Sequence, residues 1–187
     1  MKQYTPHFDS GFTHLYTGQC VSKSSPLIEA LGAVDELNSL LGMAFSHITD
    51  KDIREIIRGV QRDLLTIGAD LANPIKKQNT LDPEKTRKMH TREMTAEQVR
   101  NMELLMEKFE CELPPLKNFI LPSGTQGAAI LHMARSVTRR VERRVVAAKQ
   151  EQVNIQILRY FNRLSDFLFT LARLVNKREG GKEEIWK

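Results

Sequence analysis

The sequence lacks most of the motifs on which common cofactor sites are built. Its two cysteines, Cys20 and Cys111, form no C-x-x-C pair, which argues against a disulfide framework and against a thiolate zinc site. It contains neither G-x-x-x-x-G-K-[ST] nor G-x-G-x-x-G, so a nucleotide site of either common glycine-loop kind is excluded. No glutamate precedes a histidine by three positions, which excludes a ferritin-like di-iron bundle. No metal site is therefore predicted.

Long apolar segments and a strong excess of one charge are also missing. No apolar run approaches the ~18 residues of a membrane-spanning helix. The N-terminus has neither an apolar signal region nor an arginine-rich transit pattern. We therefore expect a cytoplasmic protein with no membrane partner. The 28 lysines and arginines exceed the 23 acidic residues only modestly, so an anion site must come from local clustering.

Hydrophobic periodicity predicts five helices, and the first three have clear start signals. The first helix begins with Ser25 as its N-cap and Pro26 at its first position. The second begins near Asp50, and Thr95 with Gln98 forms a capping box for the third. Because no alternating strand pattern is present, the sequence predicts an all-α five-helix bundle.

The last two helices lie after Gly124, and the whole chain suits a single domain over residues 1–187. Residues 1–24 show no helical period, which indicates a loop segment with short extended pieces. Residues 25–180 form the bundle, and the residues after Gly180 are predicted to be a tail.

The fourth predicted helix carries a stripe of arginines beside its core stripe. At 100° per residue, Arg135, Arg139 and Arg143 share a face with Glu142, whereas Arg140 and Arg144 lie nearer the opposite edge. Glu142 follows Arg139 by one turn, close enough to pair with it and orient it. Such a face suits a polyphosphate ligand. A solvated charged face is the alternative interpretation.

The fifth predicted helix has a narrow polar stripe inside an otherwise apolar sequence. Asn162, Asp166 and Arg173 form the stripe, at spacings of four and seven. The apolar arc around it is wider than one core contact requires. The pattern therefore predicts a further partner for this helix, either a second subunit or a large flat ligand.

Four blocks of the sequence resemble the PduO-type ATP:cob(I)alamin adenosyltransferases. They occur in the family's order and cover nearly the whole chain: EALGAVDELNSLLG from Glu29, LPSG from Leu121, RSVTRRVERR from Arg135 and FNRLSDFLFTLAR from Phe161. The resemblance implies a homotrimer of five-helix subunits with ATP, Mg²⁺ and cobalamin at the subunit interfaces. It implies transfer of the 5′-deoxyadenosyl group of ATP to the cobalt of cob(I)alamin with release of triphosphate. A reductase and a cobalamin-dependent acceptor protein would be its partners.

The resemblance also assigns roles to individual residues. Phe119 would close the lower face of the corrin ring and exclude the lower axial ligand, which makes the cobalt four-coordinate. Without the resemblance, Phe119 is a core residue beside a turn. Asp35 would pair with Arg135 across the subunit interface. Lys23, otherwise a solvated loop lysine, would meet the phosphates of ATP. The nucleotide would be contacted by Arg139, Arg140, Glu142, Arg143 and Asn162.

The first loop departs from the family pattern T-R-T-G-D-x-G-x-T. Four positions are kept, namely Thr5, Asp9, Gly11 and Thr13. Pro6 replaces the basic residue, which removes a charge, and Phe8 replaces a glycine, which adds bulk where backbone would approach phosphate. Ser10 stands where lysine is frequent. The altered loop predicts weaker binding of ATP.

Two main functional hypotheses follow from these observations. The first is an active adenosyltransferase with a modified phosphate loop, and the second is a non-catalytic corrinoid-binding carrier or sensor. A basic helical nucleic-acid binder is a third and weaker possibility. Against it, the aromatic residues Phe161, Phe167 and Phe169 interleave with core positions and not with the arginine stripe.

Overall fold

The computed structural model describes residues 9–15, 18–73, 93–148 and 153–186. Within these ranges the chain forms a short hairpin followed by five helices. The elements are β1 (Phe12–His14), β2 (Cys20–Ser22), α1 (Pro26–His47), α2 (Lys51–Leu71), α3 (Ala96–Glu110), α4 (Gln126–Ala147) and α5 (Ile155–Glu179). The predicted helix bundle is confirmed. None of the described helices combines the length and the apolar character needed to cross a bilayer.

The predicted helix starts are also confirmed. The Ser25 hydroxyl accepts from the backbone N–H of Ile28, and Pro26 occupies the first turn of α1. The Asp50 carboxylate caps α2, and the Thr95 capping box with Gln98 is present at the start of α3. These caps satisfy donors that the first turn of a helix leaves without partners.

Helix α5 lies at the centre of the bundle. It packs against α4 and α3 and touches α2, while α1 packs against α4 and α2. Its largest side chains, Tyr160, Phe161 and Phe167, are almost completely buried by the chain itself. Most of the wide apolar arc of α5 is thus covered within one subunit, whereas Leu158 and Phe169 on its flank stay half-buried. A further partner for this helix remains a prediction.

The C-terminal residues are not the predicted tail. The N–H of Leu121 donates to the carbonyl of Glu184 at 2.8 Å, and the N–H of Trp186 donates to the carbonyl of Phe119 at 2.9 Å. These bonds form a short antiparallel bridge between Ile120 and Ile185. Residues 181–186, the C-terminal segment, are thereby fixed against the loop that joins α3 to α4.

Candidate functional site

The arginine stripe of α4 lies beside the polar stripe of α5. Thr125, at the start of α4, contacts Asn176 near the end of α5, and the Arg135 guanidinium lies 5.9 Å from the centre of the Phe169 ring. The two helices therefore run antiparallel. Arg139 and Arg143 follow Arg135 by one and two turns along α4. Asp166 and Asn162 precede Phe169 by about one and two turns along α5, so both sets lie toward the same end of the helix pair. One surface therefore carries the arginine stripe together with Asn162 and Asp166 of the polar stripe.

The arginines of the stripe are not neutralised by the described part of the subunit. Arg139 and Arg143 are exposed, and within the described ranges no acidic side chain pairs with either. The predicted ion pair between Arg139 and Glu142 is not formed there either. Uncompensated guanidinium groups on one helical face attract anions, and their planar forks match phosphate oxygens. This arrangement can hold a polyphosphate.

The other two arginines of α4 have structural partners. Arg140 donates to Glu36 of α1 at 2.5 Å. Arg144 donates to Glu29, which lies about two turns before Glu36 on the same helix. These pairs join α4 to α1 on the flank away from the stripe. The family resemblance implied that Arg140 contacts the nucleotide together with Arg139 and Arg143. In the structure Arg140 instead lies on the other flank of α4.

Asn162 lies at an exposed position that a ligand can reach. Its Oδ1 accepts from Arg163 at 3.2 Å, and the side chain also borders a groove of about 540 Å³ between α3 and α5. Asp166 is exposed on the same side of α5. Arg173, which the sequence placed in the same polar stripe, is instead buried and does not belong to this surface.

Arg135 has an unmet hydrogen-bonding need. Its Nε is buried without a partner among the described residues, and both ring nitrogens of the neighbouring buried His132 are in the same condition. Burial lowers the pKa of His132, Arg135 lowers it further, and Glu183 opposes the shift. The imidazole is consequently neutral at pH 7. A buried donor without a partner is costly, so a group from outside this chain would be accommodated well at Arg135.

Phe119 presents an aromatic ring to solvent. It is 78% exposed, which excludes the alternative that it is a core residue. Its ring contacts the Trp186 ring in a T-shaped arrangement, with centroids 6.4 Å apart and planes at 71°. Further exposed apolar side chains of the same loop and of the C-terminal segment are Leu116, Leu121 and Ile185. The contacting rings of Phe119 and Trp186 form an exposed apolar surface suited to a flat apolar ligand.

The loop that carries Phe119 is tied to the end of α5. The buried Asn176 donates from Nδ2 to the carbonyl of Ser123 at 3.0 Å and accepts at Oδ1 from the N–H of Thr125 at 2.9 Å. A Cβ on Gly124, whose φ is +116°, would lie 2.0 Å from Asn176 Oδ1. Only glycine fits there, because both the backbone angle and the close approach exclude a side chain. The LPSG turn is therefore fixed by an α5 residue.

The hairpin brings together the described residues of the first loop. The N–H of Lys23 donates to the carbonyl of Gly11 at 2.9 Å, which places the lysine beside the turn that precedes β1. Asp9 is exposed next to this turn, and Thr13 pairs with Val21 in the hairpin. Thr5 and the altered Pro6, His7 and Phe8 lie outside the described residues.

Known proteins of similar sequence identify the family of this chain. The cobalamin adenosyltransferase family pattern matches residues 3–175. The corrinoid adenosyltransferase of Bacillus subtilis is 38% identical over 185 residues, which cover 96% of this chain and 89% of that protein. The chain belongs to the cobalamin adenosyltransferase family. The bovine corrinoid adenosyltransferase MMAB is also 38% identical, over 100% of this chain and 76% of that protein.

Solved structures of a family member show the same fold. One is a PduO-type ATP:corrinoid adenosyltransferase from Lactobacillus reuteri in which a histidine replaces a phenylalanine, complexed with cobalamin and ATP. Its TM-score is 0.88 at 34% identity, and the match covers 100% of this chain and 97% of that one. Another, in which a lysine replaces an arginine, is complexed with ATP and matches with a TM-score of 0.87 at 34% identity, covering 100% of both chains.

Three features of the present chain were not predicted from its sequence. They are the buried Arg173 and Asn176 of α5 and the C-terminal segment with Glu183 and Trp186. A signal was available for the segment, since its Ile185-Trp186 pair holds the only tryptophan of the chain. No periodic signal marks Asn176, because its partners are backbone groups of a loop more than fifty residues earlier in the chain.

Proposed function

We propose that this protein transfers the 5′-deoxyadenosyl group of ATP to the cobalt of cob(I)alamin. The electron pair of Co(I) forms the cobalt–carbon bond to C5′, and the C5′–O bond breaks so that its electrons leave with triphosphate. The products are adenosylcobalamin and triphosphate. Because the reduced cobalt is itself the nucleophile, the protein supplies positioning and electrostatic stabilisation and needs no nucleophile–base pair.

The arginine stripe without counter-ions is the observation that carries this proposal. Arg139 and Arg143 bind the triphosphate and stabilise the charge that develops on it as the C5′–O bond breaks. Asn162 orients the nucleotide from α5, and Lys23 reaches the phosphates from the hairpin. Glu142 contacts a part of the nucleotide away from the phosphates, since a carboxylate and a phosphate repel each other. Arg140 remains in its ion pair with Glu36.

Phe119 serves the cobalt side of the reaction. We assign its exposed ring to the lower face of the corrin, where it excludes the lower axial ligand. The resulting four-coordinate cobalt is easier to reduce to the Co(I) nucleophile. The apolar surface of Phe119 and Trp186 suits this task because neither ring can replace the excluded ligand: Phe119 has no polar atom, and the indole nitrogen of Trp186 is a hydrogen-bond donor only.

Mg²⁺ is proposed to accompany ATP. It prefers phosphate oxygens, water and one or two carboxylates to a dedicated protein cage. The described residues contain no group of three or more histidine, cysteine or acidic side chains that could hold a metal ion alone. They fit a cation that arrives with the nucleotide, whose phosphates supply most of its ligands and whose charge it partly neutralises.

The active assembly is proposed to be a homotrimer with sites between subunits. Asp35 is exposed on α1 and has no ion pair within the described part of the chain, while Arg135 buries an unpartnered Nε. A contact between Asp35 of one copy and Arg135 of the next would satisfy both groups. The same contact would place the hairpin and the arginine stripe of different copies at one site.

Sedimentation tests this assembly. The wild-type protein is expected to sediment at three times its 21.4 kDa chain mass. Asp35→Arg and Arg135→Asp should each weaken the trimer, and the double variant should recover part of the loss because the charges are exchanged. Glu36→Gln, which alters a pair within one chain, is the control that should leave the assembly intact. A wild-type monomer at micromolar concentration, or no coupling between positions 35 and 135, would contradict the proposal.

Two protein partners follow from the proposed chemistry. Cob(I)alamin must be generated by a one-electron reduction of cob(II)alamin, so a reductase is required. Adenosylcobalamin is used by cobalamin-dependent enzymes, so an acceptor protein would receive it. We assign the protein no nucleic-acid partner, because Phe161 and Phe167 are buried in the core and unable to stack on bases, and the half-buried Phe169 ring lies beneath the Arg135 guanidinium.

A single assay separates this function from its alternative. Purified protein with chemically reduced cobalamin, ATP and magnesium should form adenosylcobalamin, followed by its absorption spectrum. The Michaelis constant for ATP is expected to be raised by the loss of the basic residue at Pro6. If the protein binds cobalamin but neither binds ATP nor forms adenosylcobalamin at millimolar ATP, a corrinoid carrier or sensor is the better account.

A further inference from the structure

The buried Arg173 forms an ion pair with the half-buried Glu183 and so joins segments that are distant in sequence. The residue is 8% exposed, in a part of α5 whose neighbours are apolar. Its Nε donates to Glu183 Oε1 at 2.8 Å, and its Nη2 donates to the carbonyl of Pro114 at 2.9 Å. One side chain thus holds both the loop that carries Phe119 and the C-terminal segment that carries Trp186.

Stability alone is a weak reason for such a pair. Removing two charges from water costs free energy that their attraction only partly returns, and apolar residues of similar size often serve a core as well or better. What the pair provides and apolar packing does not is direction. The guanidinium fork fixes the position of a carboxylate and a carbonyl relative to one helix.

A second tie lies one turn further along α5. Asn176 holds the carbonyl of Ser123 and the N–H of Thr125 through its side chain, and its backbone carbonyl accepts from the N–H of Gly181 at 2.8 Å. Phe119 lies between the loop residues held by Arg173 and by Asn176. The backbone bonds from Leu121 and Trp186 then join the two held segments on either side of Ile120, the residue after Phe119.

We infer that the Arg173–Glu183 pair and Asn176 position Phe119, so that docking of the C-terminal segment sets whether the lower ligand of cobalt is excluded. This inference rests on the role of Phe119 in the proposed function. Arg173, Glu183 and Asn176 are positioning residues, since none of them reaches the exposed ring. With the segment docked, the loop backbone and the Trp186 ring hold the Phe119 ring in its exposed position. With it released, the ring loses both supports.

Glu183→Gln tests the inference against Glu184→Gln, a matched control. The neighbouring Glu184 is exposed, and its side chain has no partner among the described residues, although its carbonyl takes part in the bridge. Trp186, the only tryptophan, reports docking directly. Its fluorescence anisotropy should fall in Glu183→Gln and stay at the wild-type value in Glu184→Gln. This readout needs neither ATP nor cobalamin.

The second readout is the electron paramagnetic resonance signal of four-coordinate cob(II)alamin with ATP bound. Glu183→Gln should reduce this signal and kcat on the order of tenfold to a hundredfold, as a displaced group near a reacting centre does. The Michaelis constant for ATP should change less than about twofold, because the arginine stripe is untouched. Wild-type anisotropy together with a wild-type signal in a folded Glu183→Gln protein would overturn the inference.

A double variant covers the case in which Glu183→Gln fails to fold. Arg173→Met with Glu183→Leu keeps the volume but removes both charges, so it is expected to fold. A lower Trp186 anisotropy together with loss of the four-coordinate signal, at an unchanged Tm, supports the inference that the Arg173–Glu183 pair positions Phe119. Wild-type values of both overturn that inference. If wild-type protein gives no four-coordinate signal and no adenosylcobalamin, the proposed function fails, and the anisotropy still decides whether Arg173 and Glu183 dock the segment.

Discussion

Phe119→Ala is expected to abolish four-coordinate cob(II)alamin while leaving the protein folded. The ring is 78% exposed, so its removal deletes little buried area and should change the free energy of unfolding by less than about 1 kcal/mol. Without the ring, water or the lower ligand can approach the cobalt. Reduction to Co(I) then becomes harder, and adenosyl transfer should fall by two orders of magnitude or more, on the scale seen when a positioned group at a reacting centre is lost.

Electron paramagnetic resonance of bound cob(II)alamin measures the effect directly, and thermal unfolding measures the cost in stability. Leu104→Ala is a suitable control, since Leu104 is a 53% exposed apolar residue of α3 that the proposed site does not use. An unchanged cobalt spectrum together with a marked fall in Tm would show that Phe119 stabilises the fold and does not exclude the lower ligand. Loss of the four-coordinate signal at an unchanged Tm supports its assignment to the corrin.

The parts of the fold that rest on local signals were predictable. Helix starts depend on one capping side chain and its neighbours, so Ser25, Asp50 and Thr95 marked them correctly. The arginine stripe was visible for the same reason, because the 3.6-residue period alone puts Arg135, Arg139 and Arg143 on one face. Local rules of this kind need no knowledge of the rest of the chain.

The features that the sequence did not reveal depend on contacts between distant residues. The apolar arc of α5 was correctly recognised, but periodicity does not reveal whether the same chain or a partner covers it. Arg173 had the correct spacing for an exposed polar stripe, yet Glu183 and the Pro114 carbonyl draw it into the interior. The exposure of Phe119 depends on a loop held by α5 and the C-terminal segment. Sequence reasoning alone gave the opposite result for that residue, and only the family resemblance favoured a ligand role.

Arg139→Ala is expected to weaken ATP binding strongly without affecting the corrin site. A charge-assisted hydrogen bond from an arginine to phosphate contributes on the order of 1.5–3 kcal/mol. Its loss should raise the Kd of ATP roughly tenfold to a hundredfold, because each 1.4 kcal/mol is a factor of about ten. kcat should fall as well, since the same guanidinium stabilises the leaving triphosphate. Arg143→Ala should behave in the same way.

Arg144→Ala provides a matched control on the same helix. Arg144 already pairs with Glu29, and an exposed pair of this kind contributes only about 0–1 kcal/mol to stability. Its removal should leave the Kd of ATP unchanged. Arg139→Lys is informative too, because lysine keeps the charge but cannot donate two parallel bonds, so it should recover only part of the affinity. Calorimetric titration with ATP and magnesium decides among these variants. Equal affinity in wild-type, Arg139→Ala and Arg143→Ala proteins would show that the triphosphate binds elsewhere and that the α4 stripe is an ordinary solvated face.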